Sequence, residues 1–463
     1  MTKDNSGAGA TRKLAGHVSA LTYDMLPDDV VALTKRCILD TLGVTMGASR
    51  LTPEGRILAD YVRDLGGKPE SSVLGFDFKA PAGWAVFVNG AMGHMLDYDD
   101  VAYAGHTSIA TIPVAFALAE REGGVSGEEF ITAVAAGMDV MCRLSQAISI
   151  PQWISVEGWF QTQLLGYIAG AATAGRLLRL NADQIENAFG AAFTQTAGSR
   201  QMAVDESTDL RSMQAGFSGQ GAILAADLAK RGIVGSKEVI EGVYGLFKTY
   251  VRDDTPNWDA LVGGLGVRFP ILETHGFKVW PHCAHIRPCT AAVLQLRRDD
   301  VTPDNVERIE IIGGSKATQL LSHPIEAKRR PQVAIDAKYS VPFTTAVAMT
   351  NGGVTLQAYT DEGLNNADVL AMADRVSYRP DPGANALTPV IKIFTKDGQV
   401  HSHQVHSVPG DANNPVGWEE IEAKFRDCVS FLEVSAAETD RAVDFVANFE
   451  QCGDATALID QFV

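Results

Sequence analysis

Several things are scarce in this chain of 463 residues. Cysteines number six (Cys37, Cys142, Cys283, Cys289, Cys428 and Cys452) and no two form a CxxC pair. Such scattered thiols give neither a disulfide frame nor a zinc ribbon, and imply a reducing, cytoplasmic setting. No run of about eighteen or more apolar residues is free of charge, which excludes a spanning helix. The opening MTKDNSGAGATRKLAG is polar, reads as flexible, and lacks the apolar stretch of a secretory signal. Basic residues are in deficit: 39 Lys and Arg face 56 Asp and Glu, a net charge of −17. That balance argues against nucleic acid and against an anionic membrane surface as partners. Any anionic ligand must then sit in a local basic pocket within an acidic shell. GGSK at 313–316 lacks the GxxxxGK[ST] spacing of a phosphate loop, and no nucleophile elbow GxSxG occurs, GFSGQG at 216–221 falling inside an expected helix.

What the chain has in abundance is helix pattern. Pro27, Asp28 and Asp29 open a helix over 27–49 with apolar residues at helical spacing, and Pro53 to Leu65 form a second, ended by Gly66 and Gly67. Residues 71–77 read as an extended connector and 81–96 as a helix of small residues. Ser126 and Glu129 make a capping box ahead of FITAVAAGMDVMCRL. Further helices are expected at 158–180, 181–198 and 213–231, and the chain reads as almost wholly helical to about residue 265. Beyond Gly266 the pattern changes. VERIEII at 306–312 alternates like a half-buried strand, RVSY at 375–378 is a second, and VIKIF and VHSHQV flank an Asp397-Gly398 turn. Helical stretches at 282–298, 340–352 and 366–373 lie between them, and helices return at 418–429 and 438–449. The expected fold is mainly α: a large all-α helical domain (12–265 plus 408–463) with an inserted smaller α+β domain (266–407).

The stretch richest in chemistry is NGAMGHMLDYDDVAYAGH at 89–106, with Asp97, Asp99, Asp100, His94 and His106. Gly90, Ala91 and Gly93 allow close backbone approach, and carboxylates leaving a buried helix to meet a histidine suit general acid and base chemistry. A plainer reading has Asp99 and Asp100 cap the next segment and His94 serve as a satisfied core histidine. His106 stands where a helix begins, beside amides that favour an anion.

This stretch, with TSIATIPVAFALAE at 107–120, resembles the signature of the MmgE/PrpD family, which contains 2-methylcitrate dehydratases, cis-aconitate decarboxylases and iminodisuccinate epimerases. KVWPHC at 278–283 is similar to the family's KxYPxC segment, and AKYSVPF at 337–343 to its AKFSxxY. The resemblance implies an active site between two domains, a homodimer and a small anionic di- or tricarboxylate substrate, with no cofactor and no metal. It gives catalytic roles to Asp97, His106 and Lys278, with His106 oriented by Asp97. Substrate binding falls to Arg211, Gln214, His282, His285, Arg287, Lys338 and Ser340. Four segments depart from the family. Phe160 replaces a histidine, Arg211 and Gln214 replace a lysine and a histidine, Arg287 replaces a histidine, and Phe343 a tyrosine. Arginine holds carboxylates but does not shuttle protons at neutral pH, so His282 and His285 stand as replacements for the missing histidines, or as packing residues. His282, Cys283 and His285, and likewise His401, His403 and His406, also invite a metal reading, though an exposed polar face is the simpler account of the second set. The expected activity is that of a cofactor-independent hydro-lyase like 2-methylcitrate dehydratase. The alternatives are a decarboxylase, an epimerase, or a carboxylate-binding protein that has lost catalysis.

Overall fold

The computed structural model describes residues 7–102, 105–148, 158–204, 208–253, 255–298, 300–313, 316–381 and 388–461. They divide into two compact units, Met1–Gly276 with Gly417–Val463, and Phe277–Val416. The boundaries fall at 276/277 and 416/417 instead of 265/266 and 407/408, because the short strand His275–Gly276 pairs antiparallel with Val101–Ala102 and so stays with the first unit.

The first unit is helical. Asp28–Leu51, Pro53–Leu65, Ala82–Met95, Thr107–Glu122, Gly127–Gln146, Gln161–Leu177, Ala182–Gln195 and Gln214–Lys230 carry it. Local chemistry sets several starts: the Ser126 hydroxyl accepts from the Glu129 amide at 3.2 Å, and the Asn181 side chain accepts from the Gln184 amide at 3.0 Å. Small residues then set the packing distance. A methyl on Gly216 would lie 2.3 Å from the carbonyl oxygen of Phe87, so the Gln214–Lys230 and Ala82–Met95 helices meet backbone to backbone. Gly43 and Gly47 do the same for the long Asp28–Leu51 helix, where added methyls would meet Phe425 and Cys428. The Trp418–Val429 helix docks there and brings Lys424 to Asp40.

Two segments differ from the sequence expectation. The N-terminal stretch read as flexible contains a helix, Ala10–Ala20. Leu14, Ala15 and Val18 are buried on it, and Thr11 bonds Glu241, so an apolar face outweighs a polar composition. Within the part expected as almost wholly helical, the described residues from 232 to 246 are mostly turns, followed by Phe247–Val251 and the helix Trp258–Val262. Gly232 sits at φ 92 there, and at Gly235 a methyl would lie 2.2 Å from the Asn187 oxygen.

The second unit has a four-stranded sheet in the order Val376–Arg379, Val306–Ile312, Val390–Thr395, Val400–Gln404. Val306–Ile312 runs parallel to Val376–Arg379 and antiparallel to Val390–Thr395. The Asp397-Gly398 hairpin forms as expected, with Ile391 opposite His403, Ile393 opposite His401, and Gly398 at φ 89. Ile309, Ile311, Ile391 and Ile393 form one core with Val293, Leu296, Phe343 and Val347 of the helices Arg287–Leu296 and Val341–Asn351. Gly314 and Ser315 of the GGSK segment lie outside the described residues.

Candidate active site

The acid-rich loop begins where the Ala82–Met95 helix ends. Asp97 takes φ 50, a left-handed conformation that aspartate tolerates better than bulkier residues, and its amide donates to the His94 carbonyl at 2.9 Å. This turn sends the chain back over the helix end. Asp99 and Asp100 are both fully buried, and Val101–Ala102 pairs with His275–Gly276. Gly105, at φ 101, closes a tight loop through paired bonds with Ala102 of 2.8 and 2.9 Å. His106 then stands at the cap of the Thr107–Glu122 helix, its amide bonded to the Thr162 hydroxyl at 3.0 Å.

Two carboxylates divide the work. Asp100 Oδ2 accepts from the Thr107 hydroxyl (2.9 Å), the Ser108 amide (3.1 Å), the Ser108 hydroxyl (2.9 Å) and His275 Nε2 (3.0 Å). It therefore caps the helix from outside, as the plainer sequence reading has it. Burial pushes its pKa up, but the His275 hydrogen bond and charge outweigh this and hold it below the ordinary value. For His275, burial opposes the charged form, yet Cys37 at 3.5 Å and Asp100 raise its pKa.

Asp99 does something else. His94 Nδ1 lies 3.0 Å from both of its oxygens, and His106 Nδ1 lies 2.8 Å from Oδ2 and 2.6 Å from the Asp100 carbonyl oxygen. The ring centroids are 4.5 Å apart. Burial lowers the His94 pKa against the pull of Asp99. Of the two rings His94 is buried and His106 half-buried. Asp99 thus joins two imidazoles, the arrangement that holds a ring in one tautomer for proton transfer. The carboxylate found against the His106 ring is Asp99, where Asp97 was expected. The reason is the turn at Asp97, which places the residue two further on beneath both rings. Among the described residues these three side chains are also the one set of three His, Cys, Asp or Glu ligands close enough to share a metal ion.

The loop is held from the far end of the chain. Lys424 donates to the Tyr98 carbonyl, lies 2.5 Å from Asp40 Oδ1 and sits 4.2 Å from the Tyr98 ring centroid. Burial raises the Asp40 pKa to about 6, with Lys424 opposing.

The other expected site residues fall into distinct settings. Arg211 is half-buried in the turn Leu210–Met213, and its carbonyl accepts from Gln214 Nε2 at 3.2 Å; Gln214 is buried at the start of its helix. Phe160 caps the Gln161–Leu177 helix, whose Thr162 touches His106. In the second unit Lys278 and Lys338 are buried, the latter with Nζ 5.6 Å from the Tyr359 ring centroid. Three of the expected residues are bonded within their own unit. The Arg287 guanidinium bonds within its own unit, to Asp411 at 2.9 Å and the Pro409 carbonyl at 2.7 Å, and so ties a turn down. The Ser340 hydroxyl accepts from the Phe343 amide at 3.1 Å and donates to the Lys328 carbonyl, serving as a helix cap. His282 is buried with Nδ1 3.2 Å from the Cys283 carbonyl and Nε2 3.0 Å from the Thr290 hydroxyl, the bonding of a satisfied core histidine. His285 is exposed. His401 and His403 are half-buried and His406 is exposed.

Sequence reasoning passed over His275 and Lys424, and gave Asp99 no part in catalysis. The spacing of His94 and Asp99 around a helix end was the one available signal. Nothing local connects residue 424 with residue 98.

The MmgE/PrpD N-terminal domain model matches residues 12–259 and the MmgE/PrpD C-terminal domain model residues 280–449. The chain is similar to cis-aconitate decarboxylase of Homo sapiens, 26% identical over 97% of this chain and 93% of the relative. It is similar to cis-aconitate decarboxylase of Aspergillus terreus, 25% identical over 98% and 96%. It also matches 2-methylcitrate dehydratase of Salmonella typhimurium, 23% identical over 76% and 73%. By both domain matches, which together span most of its length, this chain belongs to the MmgE/PrpD family.

Proposed function

We propose that this chain is a lyase that decarboxylates a small unsaturated polycarboxylate of the cis-aconitate type, with His106 as the proton donor. The observation that carries the reading is the Asp99-bridged histidine pair, of which only His106 is more than marginally exposed. When a carboxylate leaves as carbon dioxide, its bonding electrons stay on carbon, and one proton completes the reaction. A single oriented imidazole meets that need. Dehydration asks for more, a base for the departing proton and an acid for the departing hydroxyl. Phe160 and Gln214 stand at two positions where the family resemblance leads one to expect histidine, and neither transfers protons at neutral pH. Similarity to cis-aconitate decarboxylases over nearly the whole chain supports the same choice, while the dehydratase relative matches over 76% of it. Lys278 and Lys338, as buried cations, are the candidates for holding substrate carboxylates. Dehydration, the first expectation from sequence, is the second reading, favoured by that dehydratase relative.

The test incubates the protein separately with cis-aconitate, citrate and 2-methylcitrate in deuterated water and follows products by NMR. Release of carbon dioxide with one deuterium retained in the product is the expected result, and His106→Asn should abolish it. Loss of water without loss of carbon would replace this reading with the second. An inert wild-type protein would refute both.

A further inference from the structure

His106 meets two acceptors at one ring nitrogen. Its Nδ1 lies 2.6 Å from the Asp100 carbonyl oxygen and 2.8 Å from Asp99 Oδ2. A carbonyl oxygen only accepts, so Nδ1 carries a proton in this arrangement and Nε2 is the nitrogen that exchanges one. The tautomer of His106 therefore depends on where the backbone of Asp100 stands. Asp100 lies between two turns, with Asp97 at φ 50 and Gly105 at φ 101, and its side chain anchors it. The Thr107 and Ser108 donors on that carboxylate belong to the helix that His106 itself caps, so they move with His106. His275 Nε2, at 3.0 Å, comes from 175 residues along the chain. Of these donors it is the one that can carry a charge to a fully buried carboxylate. Strand register brings it there. His275 pairs with Ala102, and Asp100, two residues earlier, falls on the same face as Ala102. Cys37 Sγ, 3.5 Å from the same nitrogen, holds the ring from the Asp28–Leu51 helix.

We propose that His275 is a positioning residue for His106: by anchoring the Asp100 carboxylate it keeps the Asp100 carbonyl on His106 Nδ1 and so assigns proton exchange to Nε2. The consequence for turnover rests on the role proposed above for His106. The effect on the ring does not.

The experiment observes the ring and the reaction separately. Protein labelled with 15N in histidine shows by NMR which ring nitrogen holds the proton, without substrate and at a pH where His106 is neutral. In the wild-type protein the His106 proton should be on Nδ1, and His275 should carry one on Nε2. His275→Gln keeps a donor where Nε2 stands, whereas His275→Phe removes it. His275→Phe should spread the His106 proton over both nitrogens, and His275→Gln should return it to Nδ1. Turnover of cis-aconitate should follow, with kcat lower by roughly 10²-fold in His275→Phe, by about tenfold or less in His275→Gln, and KM within about twofold in both. A residue serving stability alone would lower the melting temperature and leave the His106 proton where it was. A wild-type His275 with no proton on Nε2 would overturn the proposal even if neither variant folded. So would a folded His275→Phe protein with the wild-type His106 proton and kcat. A His106 proton that moves as expected in a protein inert towards cis-aconitate would support the positioning and overturn the proposed reaction.

Discussion

Replacing Lys424 with methionine should destabilise the first unit in a way that depends on pH. Lys424 has 4% of its surface exposed and Asp40 1%, and the ammonium also holds the Tyr98 carbonyl. Methionine keeps much of the volume but removes the charge and the donor. Losing the charged hydrogen bond to Tyr98 costs about 1.5–3 kcal/mol at any pH below the lysine range. The second part comes from Asp40. Its folded pKa of about 6, already above the ordinary 3.8, reflects burial opposed by Lys424, so removing Lys424 sends it higher. A carboxyl with a raised folded pKa contributes stability that is present below its unfolded value and is lost as pH rises through the folded one. Below pH 5 Asp40 is protonated in both proteins and the substitution adds little through it. At pH 7 the wild-type Asp40 is ionised against Lys424, whereas the variant must keep its proton, an added cost of about 1 kcal/mol that grows by ~1.4 kcal/mol for each further pH unit. The total is about 2.5–4 kcal/mol at pH 7 and about 1.5–3 kcal/mol at pH 5, comparable with the cost of breaking a buried ion pair. Urea unfolding of both proteins at pH 5, 6, 7 and 8 measures it. A difference that stays flat across that range would refute the account of Asp40, whatever its size.

Three other outcomes are expected. His106→Asn should lower kcat for the reacting acid by roughly 10²–10⁴ and leave the melting temperature nearly unchanged, since the ring is half-buried and its helix start is held by Asp100. Arg287→Ala should cost about 2–4 kcal/mol in urea unfolding of the second unit, because the guanidinium joins Asp411 and the Pro409 carbonyl; a rise in KM with stability unchanged would instead restore it as a substrate ligand. Gly216→Ala should cost about 1–3 kcal/mol by overpacking, since the new methyl would meet the Phe87 carbonyl oxygen at 2.3 Å.

Much of the fold was legible because its signals are local. Capping boxes, the Asp397-Gly398 turn and the alternation of VERIEII each depend on residues within one element, and each appears where the pattern placed it. The expectation of an almost wholly helical chain to about residue 265 did not allow for the glycine-rich stretch after Lys230, where Gly235 lies in close contact with the Asn187 backbone. The candidate site was legible as a segment but not as a network. The sequence shows the aspartates and histidines of 94–106, yet which carboxylate meets which ring is fixed by the left-handed turn at Asp97. Partners such as His275 and Lys424 approach from far along the chain, and no spacing rule reaches them. For Arg287, Ser340 and His282 residue type alone does not decide, because types suited to binding an acid are equally suited to tying down a turn, capping a helix or filling a core.

The dependence of the Tyr98 loop on Lys424 sets an order on biosynthesis. Synthesis runs from the N-terminal side, so when the helices up to Lys230 have left the ribosome, Lys424 has yet to reach Asp40 and the Tyr98 carbonyl. The whole second unit, Phe277–Val416, is made before Lys424 appears. The acid-rich loop is therefore among the last parts of the first unit to be completed, and nascent chains that end before Lys424 present it without that clasp. A ribosome stalled anywhere in the second unit would display the acid-rich loop without the Lys424 contact.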